Sequence, residues 1–258
     1  MFLTLWADNG AETPLTTALP VMQLYAEYTY KQEINQEELA ERFLGCAGMK
    51  LEWFMLLNEF DEVPGVGKNN LLSSSPSKFI LWQDSLTGLF DANIKALEIG
   101  KHYRGLYEKL MQIQSCESEY TSLFAFYTQL AKVLATKAEM GITLKSAYDQ
   151  KDKQGMALHV EQLKSLREEM KHLHEKHKHL WFELYKPFGW EVLDIRYGGA
   201  SARINTAMSR IESWLKDEGI IEELEANRLI YDAKNDIVEG FIGTEKYHHI
   251  VTTGHLSH

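Results

Sequence analysis

Two apolar stripes at helical spacing limit what this chain can fold into. Tyr120, Leu123, Phe124, Tyr127, Leu130, Leu134, Ala138, Gly141, Leu144 and Tyr148 step by threes and fours, and so do Met156, Val160, Leu163, Leu166, Met170, Leu173, His177, Leu180 and Leu184. That period gathers apolar side chains on one face of a helix. Two long faces in succession bury each other most simply by antiparallel packing, with the turn near Lys151 to Gly155. The pattern predicts an all-α, multi-helix bundle built on long antiparallel helices.

Shorter segments fit the same plan. Val21 to Tyr30 reads as a helix, and Asn35 followed by Glu37 and Glu38 reads as an N-cap with acids in the first turn of another, stopping near Gly45 or Gly48. Leu51 to Phe60 reads as a further short helix, and the Gly, Asn and Ser run from Gly65 to Ser77 as a surface loop. Phe79 to Phe90 is dense enough in apolar residues for a buried element, and Asn93 to Ile113 reads as one helix. Ser201 to Lys216 and Glu222 to Tyr231 are expected to be helices, with the Gly198-Gly199 pair as a tight turn, Ser201 as N-cap and Arg203 reaching back to Asp194. The tail from Ile237 reads as loop or marginal strand.

Composition narrows the functional classes. The 258 residues include 37 acids against 27 Lys and Arg, a formal charge of -10, which disfavours nucleic acid and anionic membrane as partners. Cys46 and Cys116 stand seventy residues apart in no metal or redox spacing, so both read as free thiols in a reducing compartment. No window approaches about 18 uninterrupted apolar residues and no export signal is evident, which makes cytoplasm the expected location.

The opening segment differs from everything after it. Phe2, Leu3, Thr4, Leu5 and Trp6 favour strand with almost no alternation, as in a strand buried on both faces, and Trp6-Ala7-Asp8-Asn9-Gly10-Ala11-Glu12 places an aromatic and two acids around a glycine turn. At the carboxyl end of a parallel barrel strand, Trp6 would stack on a sugar ring and Asp8 would accept bonds from its hydroxyls. Taken alone, the pair reads better as a core tryptophan and a solvated turn aspartate.

Longer words give that segment a context. Leu3 to Glu12 resembles the last barrel strand of glycoside hydrolase family 20, the β-N-acetylhexosaminidases, and more closely the bacterial branch with an extra helical domain after the barrel. The stretches Pro76-Ser77-Lys78-Phe79-Ile80-Leu81-Trp82-Gln83-Asp84, Gly88-Leu89-Phe90-Asp91 and Lys186-Pro187-Phe188-Gly189-Trp190-Glu191-Val192-Leu193-Asp194-Ile195-Arg196-Tyr197-Gly198-Gly199 follow in the order expected of that domain. The resemblance implies an exo-acting, retaining enzyme that removes terminal β-linked N-acetylglucosamine or N-acetylgalactosamine. The substrate's acetamido oxygen would serve as nucleophile, with an aspartate steadying it and the adjacent glutamate as general acid. By that analogy Trp6 walls the pocket and Asp8 binds the outer hydroxyls, while Ala7 stands where the family most often has glycine. The family's acid pair lies in a His-x-Gly-Gly-Asp-Glu segment that this sequence lacks, so no catalytic residue carries over and no cofactor is implied.

Other constellations read as structural. Asp61-Glu62 and Asp217-Glu218 are expected to be solvated turn charges. His172, His174, His177 and His179 miss the i, i+4 spacing of zinc ligands, so the cluster reads as a solvated helix face with Glu168–His172 and Glu175–His179 ion pairs, and no metal is expected. Gly65-Val66-Gly67-Lys68 lacks the full phosphate-loop spacing.

The expected organisation is therefore residues 1–14 as the remnant of a final barrel strand and 15–258 as a C-terminal helical domain. Its expected partners are the missing catalytic barrel, an amino-sugar glycoside within the whole enzyme, and a second copy as a homodimer; the chain alone should be inactive. A different class remains open, a self-sufficient helical interaction domain whose exposed aromatics pair with another protein or with another copy of itself. A metal-binding bundle is a third reading.

Overall fold

A computed structural model describes residues 3–5, 12–65, 75–113, 118–228 and 252–254. Every regular element among them is helical, and none is long and apolar enough to cross a membrane. The order is α1 (Leu19–Tyr30), α2 (Gln36–Ala47), α3 (Leu51–Met55), α4 (Pro76–Trp82), α5 (Asp91–Ile94), α6 (Ile99–Ile113), α7 (Thr121–Lys137), α8 (Met140–Asp149), α9 (Lys153–Leu184), α10 (Trp190–Leu215) and α11 (Glu222–Glu225). Single 3-10 turns precede α1 and follow α3.

Helix α9 is the spine. Asp152 accepts from the main chain of Gln154 and Gly155, satisfying two of the unpaired N–H groups of the first turn. Met156, Val160, Leu163, Leu166, Met170, Leu173, His177 and Leu180 form its buried face, as their spacing predicts. The stripe stops one turn early: Leu184 is exposed, and Trp181 is buried instead. Helix α9 packs between α7 and α10, and α7 packs in turn on α6. Phe43, Phe90, Tyr103 and Phe124 are almost wholly enclosed, and burial of each such side chain contributes roughly 1.5–3 kcal/mol.

Tertiary contacts cut or extend several expected helices. The stripe from Tyr120 to Tyr148 is two helices, broken at Ala138–Glu139, where the Glu139 carboxylate accepts from Gly100 N at 3.1 Å. Gly141 lies so close to Asp91 that a Cβ would stand 2.5 Å from its Oδ2. The expected helix Asn93–Ile113 likewise divides into α5 and α6.

Gly198-Gly199 is no turn. Helix α10 runs unbroken through it, so Ser201 is not an N-cap, and Arg203 reaches Asp84 rather than Asp194. Gly199 instead permits close approach, since a Cβ there would stand 2.9 Å from Thr253 Cγ2. At α2 the sequence reading holds: Asn35 accepts from Glu37 N at 2.8 Å and Glu38 N at 3.3 Å, and Gly48 ends the helix at φ 68°. Leu51–Phe60 begins as α3 and tightens to a 3-10 turn, whereas Glu222–Tyr231 is helical over α11 and lies outside the described residues beyond 228.

Helix α1 is anomalous. Val21, Met22 and Tyr28 are exposed, and its one buried residue is Glu27, held by Arg42 at 2.6 Å and Gln23 at 2.9 Å. Val21, Leu24, Leu39, Leu44, Leu51 and Met55 line an open apolar groove of about 800 Å³ between α1, α2 and α3.

Candidate functional site

The opening segment meets the bundle at Glu12. Leu3, Thr4 and Leu5 carry no regular secondary structure, and Trp6 and Asp8, the expected sugar contacts, lie outside the described residues. Glu12 follows, with its side chain only 11% exposed. Its Oε1 accepts from Trp82 Nε1 at 2.6 Å, and its Oε2 from Arg196 Nη1 at 2.6 Å, while Lys78 Nζ stands 3.0 Å from Oε2.

Local sequence explains why these donors converge. Lys78 and Trp82 are four apart on α4, so they lie on one face. Pro76 starts that helix where a missing N–H costs nothing. Arg196 comes from the second turn of α10, and the neighbouring Tyr197 meets Trp82 edge-on at 5.0 Å. Charge-assisted bonds of this length, shielded from water, hold more firmly than surface ion pairs.

His177 belongs to the same layer. Its Nδ1 lies 3.0 Å from Tyr197 Oη, the Glu12 main chain hydrogen-bonds the ring, and Phe126 packs at 4.3 Å. Burial, with the nearby His174 adding to it, pulls the His177 pKa down to about 3. It is thus a neutral core residue rather than part of a solvated face. His174 stacks on Tyr197 and bonds Asp194 at 2.8 Å, and His172 is exposed. His179 pairs with Glu183 at 3.1 Å, and Glu168 with Arg167 at 3.4 Å, in place of the expected pairs. No three His, Cys, Asp or Glu side chains are arranged to hold a metal among the described residues.

Beside Glu12 lies a polar cavity of about 420 Å³, also lined by Asp61, Ser77, Lys78, Tyr127 and His177. Asp61 was expected as a solvated turn charge. It is turned inward instead, accepting from Ser77 N at 3.1 Å and Ser77 Oγ at 2.7 Å, and burial raises its pKa. Glu62 is exposed at the edge of the same cavity. Asp217 is exposed and bound to Lys153 at 2.8 Å. Ser77 is buried, correcting the end of the expected surface loop, whose residues 66–74 lie outside the described set. Cys46 is a free, exposed thiol; Cys116 and most of the tail from Ile237 are outside it.

The arrangement is a clamp: Arg196 and Lys78 offset the single negative charge of Glu12 at Oε2, and the Trp82 indole satisfies Oε1. Sequence reasoning passed over Glu12 and Arg196 as individual sites and read Asp61 as a solvated turn charge. The i, i+4 pair Lys78 and Trp82 was the available signal for a shared partner.

The fold is a helical-bundle domain in which the Glu12 clamp ties the segment before α1 to α4 and α10. The family described as Glycoside Hydrolase 20C C-terminal domain matches residues 52–243, and this chain belongs to that family, a helical domain of glycoside hydrolase family 20 hexosaminidases. No curated protein matches the chain.

Proposed function

We propose that this chain is the C-terminal portion of a retaining exo-β-N-acetylhexosaminidase, in which the helical domain carries the last barrel strand and braces the wall of the sugar pocket. The carrying observation is the family match over residues 52–243 joined to the Glu12 clamp, which fastens the segment after the strand words to α4 and α10. On this reading residues 1–14 are the strand remnant, Trp6 walls the N-acetylated sugar and Asp8 binds its outer hydroxyls. Hydrolysis of terminal β-linked N-acetylglucosamine or N-acetylgalactosamine proceeds through the substrate's own acetamido group, with acid residues supplied by the barrel.

The exposed apolar face of α1 supports a barrel partner. It follows the opening segment directly and precedes the family match, as a helix closing a strand–helix unit would. The excess of acids fits a protein that works without nucleic acid, and the free exposed thiol fits a reducing cytoplasm.

The test is a chromogenic β-N-acetylglucosaminide assayed with the pure chain and with the same chain joined to a family 20 barrel. No release by the chain alone and release by the joined protein are expected. Turnover by the chain alone would overturn the reading. A second reading, a stand-alone domain pairing with its own copy, is favoured by the apolar groove between α1 and α3. Light scattering on the pure chain decides it: a concentration-independent monomer removes it.

A further inference from the structure

Lys137 ends α7 inside the protein, 3% exposed, where an unpaired ammonium is expensive. It donates to the Leu81 carbonyl near the end of α4 and forms no ion pair among the described residues. Asp84, the nearest acid acting on it, is engaged by Arg203 Nε and by the main chain of Leu86 and Thr87. Burial draws the lysine's pKa down to about 8, which leaves it charged at neutral pH.

This cation lines a cavity of about 450 Å³, within the size range of small-molecule sites. The space exists because α10 presents small residues there, Gly199, Ala200 and Ala207, opposite Trp82. Arg203 stands on the same wall with Nε committed to Asp84. Thr253 also lines the cavity, and its buried Oγ1 has no hydrogen-bond partner among the described residues. Asp84 lines the cavity too, but its charge is met by Arg203, which leaves the Lys137 ammonium as the uncompensated charge. That ammonium, the Thr253 hydroxyl and an apolar wall together match a ligand with one anionic end.

We propose that this cavity binds a small organic carboxylate with a short apolar body, its carboxylate paired with Lys137 and its carbon chain lying along Ala200 and Ala207. The site is independent of the sugar chemistry, because an N-acetylhexosamine is neutral and would leave the lysine unpaired.

Calorimetric titration of the purified chain with hexanoate, hexan-1-ol and inorganic phosphate tests it. Hexanoate is expected to bind one to one with Kd on the order of 1 mM, a normal strength for so few atoms. The alcohol should bind about tenfold more weakly, and Lys137→Met should weaken hexanoate by about the same factor. Ala207→Leu keeps the lysine and fills the cavity, so it should also abolish binding, which guards against a misfolded K137M. Absence of saturable hexanoate binding, equal binding of hexan-1-ol, preference for phosphate, or unchanged affinity in A207L would each overturn the proposal.

Discussion

Arg196 Nη1 donates to Glu12 Oε2 at 2.6 Å across 184 positions of sequence, joining the second turn of α10 to the segment before α1. Both side chains are 11% exposed, so water replaces little of what is lost if one is removed. Glu12→Gln is expected to cost about 3 kcal/mol, the order found when a shielded ion pair loses one partner. In a Glu12→Gln/Arg196→Met double variant the loss should be smaller than the sum of the Glu12→Gln and Arg196→Met losses. Urea unfolding of the four proteins measures this, and additive effects would show that the pair is not coupled.

His177 should make stability depend on pH. Its folded pKa, about 3, lies below the ordinary 6.5, so the neutral ring is favoured in the fold. The stabilisation is present above pH 6.5 and is lost as pH falls from 6.5 towards 3, at up to about 1.4 kcal/mol per pH unit. His177→Phe keeps an aromatic against Phe126 and removes the proton site, so its stability curve should be flatter over that window. Parallel curves from denaturant unfolding at several pH values would refute the assignment.

Asp61 should act in the opposite direction. Burial raises its pKa above the usual 3.8, so the charged form is disfavoured in the fold and stability falls as pH rises through that range. Asp61→Asn keeps an acceptor for Ser77 and removes the charge. It is expected to raise stability at pH 7 by about 1 kcal/mol, read from the urea midpoint. A loss of similar size would mean that the carboxylate is needed as an anion.

The two glycines of α10 should respond differently to alanine. Gly198 is exposed and a Cβ there meets nothing within 4 Å, so Gly198→Ala should stabilise by about 0.5–1 kcal/mol. At Gly199 the Cβ would meet Thr253 Cγ2 at 2.9 Å, and that gain should be cancelled or reversed. Thermal unfolding compares them, and equal gains would mean that residues 252–254 yield without cost.

Much of the fold was legible because helical burial repeats along the chain. The α9 face and the Asn35 cap depend on spacing and side-chain type alone, so both were readable. The α10 stripe was readable too: Trp190, Leu193, Tyr197, Ala200, Ile204, Ala207 and Ile211 continue across the glycines, but treating that pair as a turn signal hid the repeat. The break at Ala138–Glu139 carried no local signal, since the residues around it meet Gly100 and Asp91 from elsewhere in the chain.

The sequence by itself determined the helical class, the order of the long elements and, through its longer words, the family. Periodicity and capping act between near neighbours, and a linear reading contains them. Only the tertiary structure decided that Glu12, Lys78, Trp82 and Arg196 share one carboxylate, that Asp61 faces inward beside Ser77, and that Lys137 is sealed beside a cavity. Those are relations between residues tens to hundreds of positions apart, fixed by how helices pack, and no local pattern encodes which distant charge a buried group will meet.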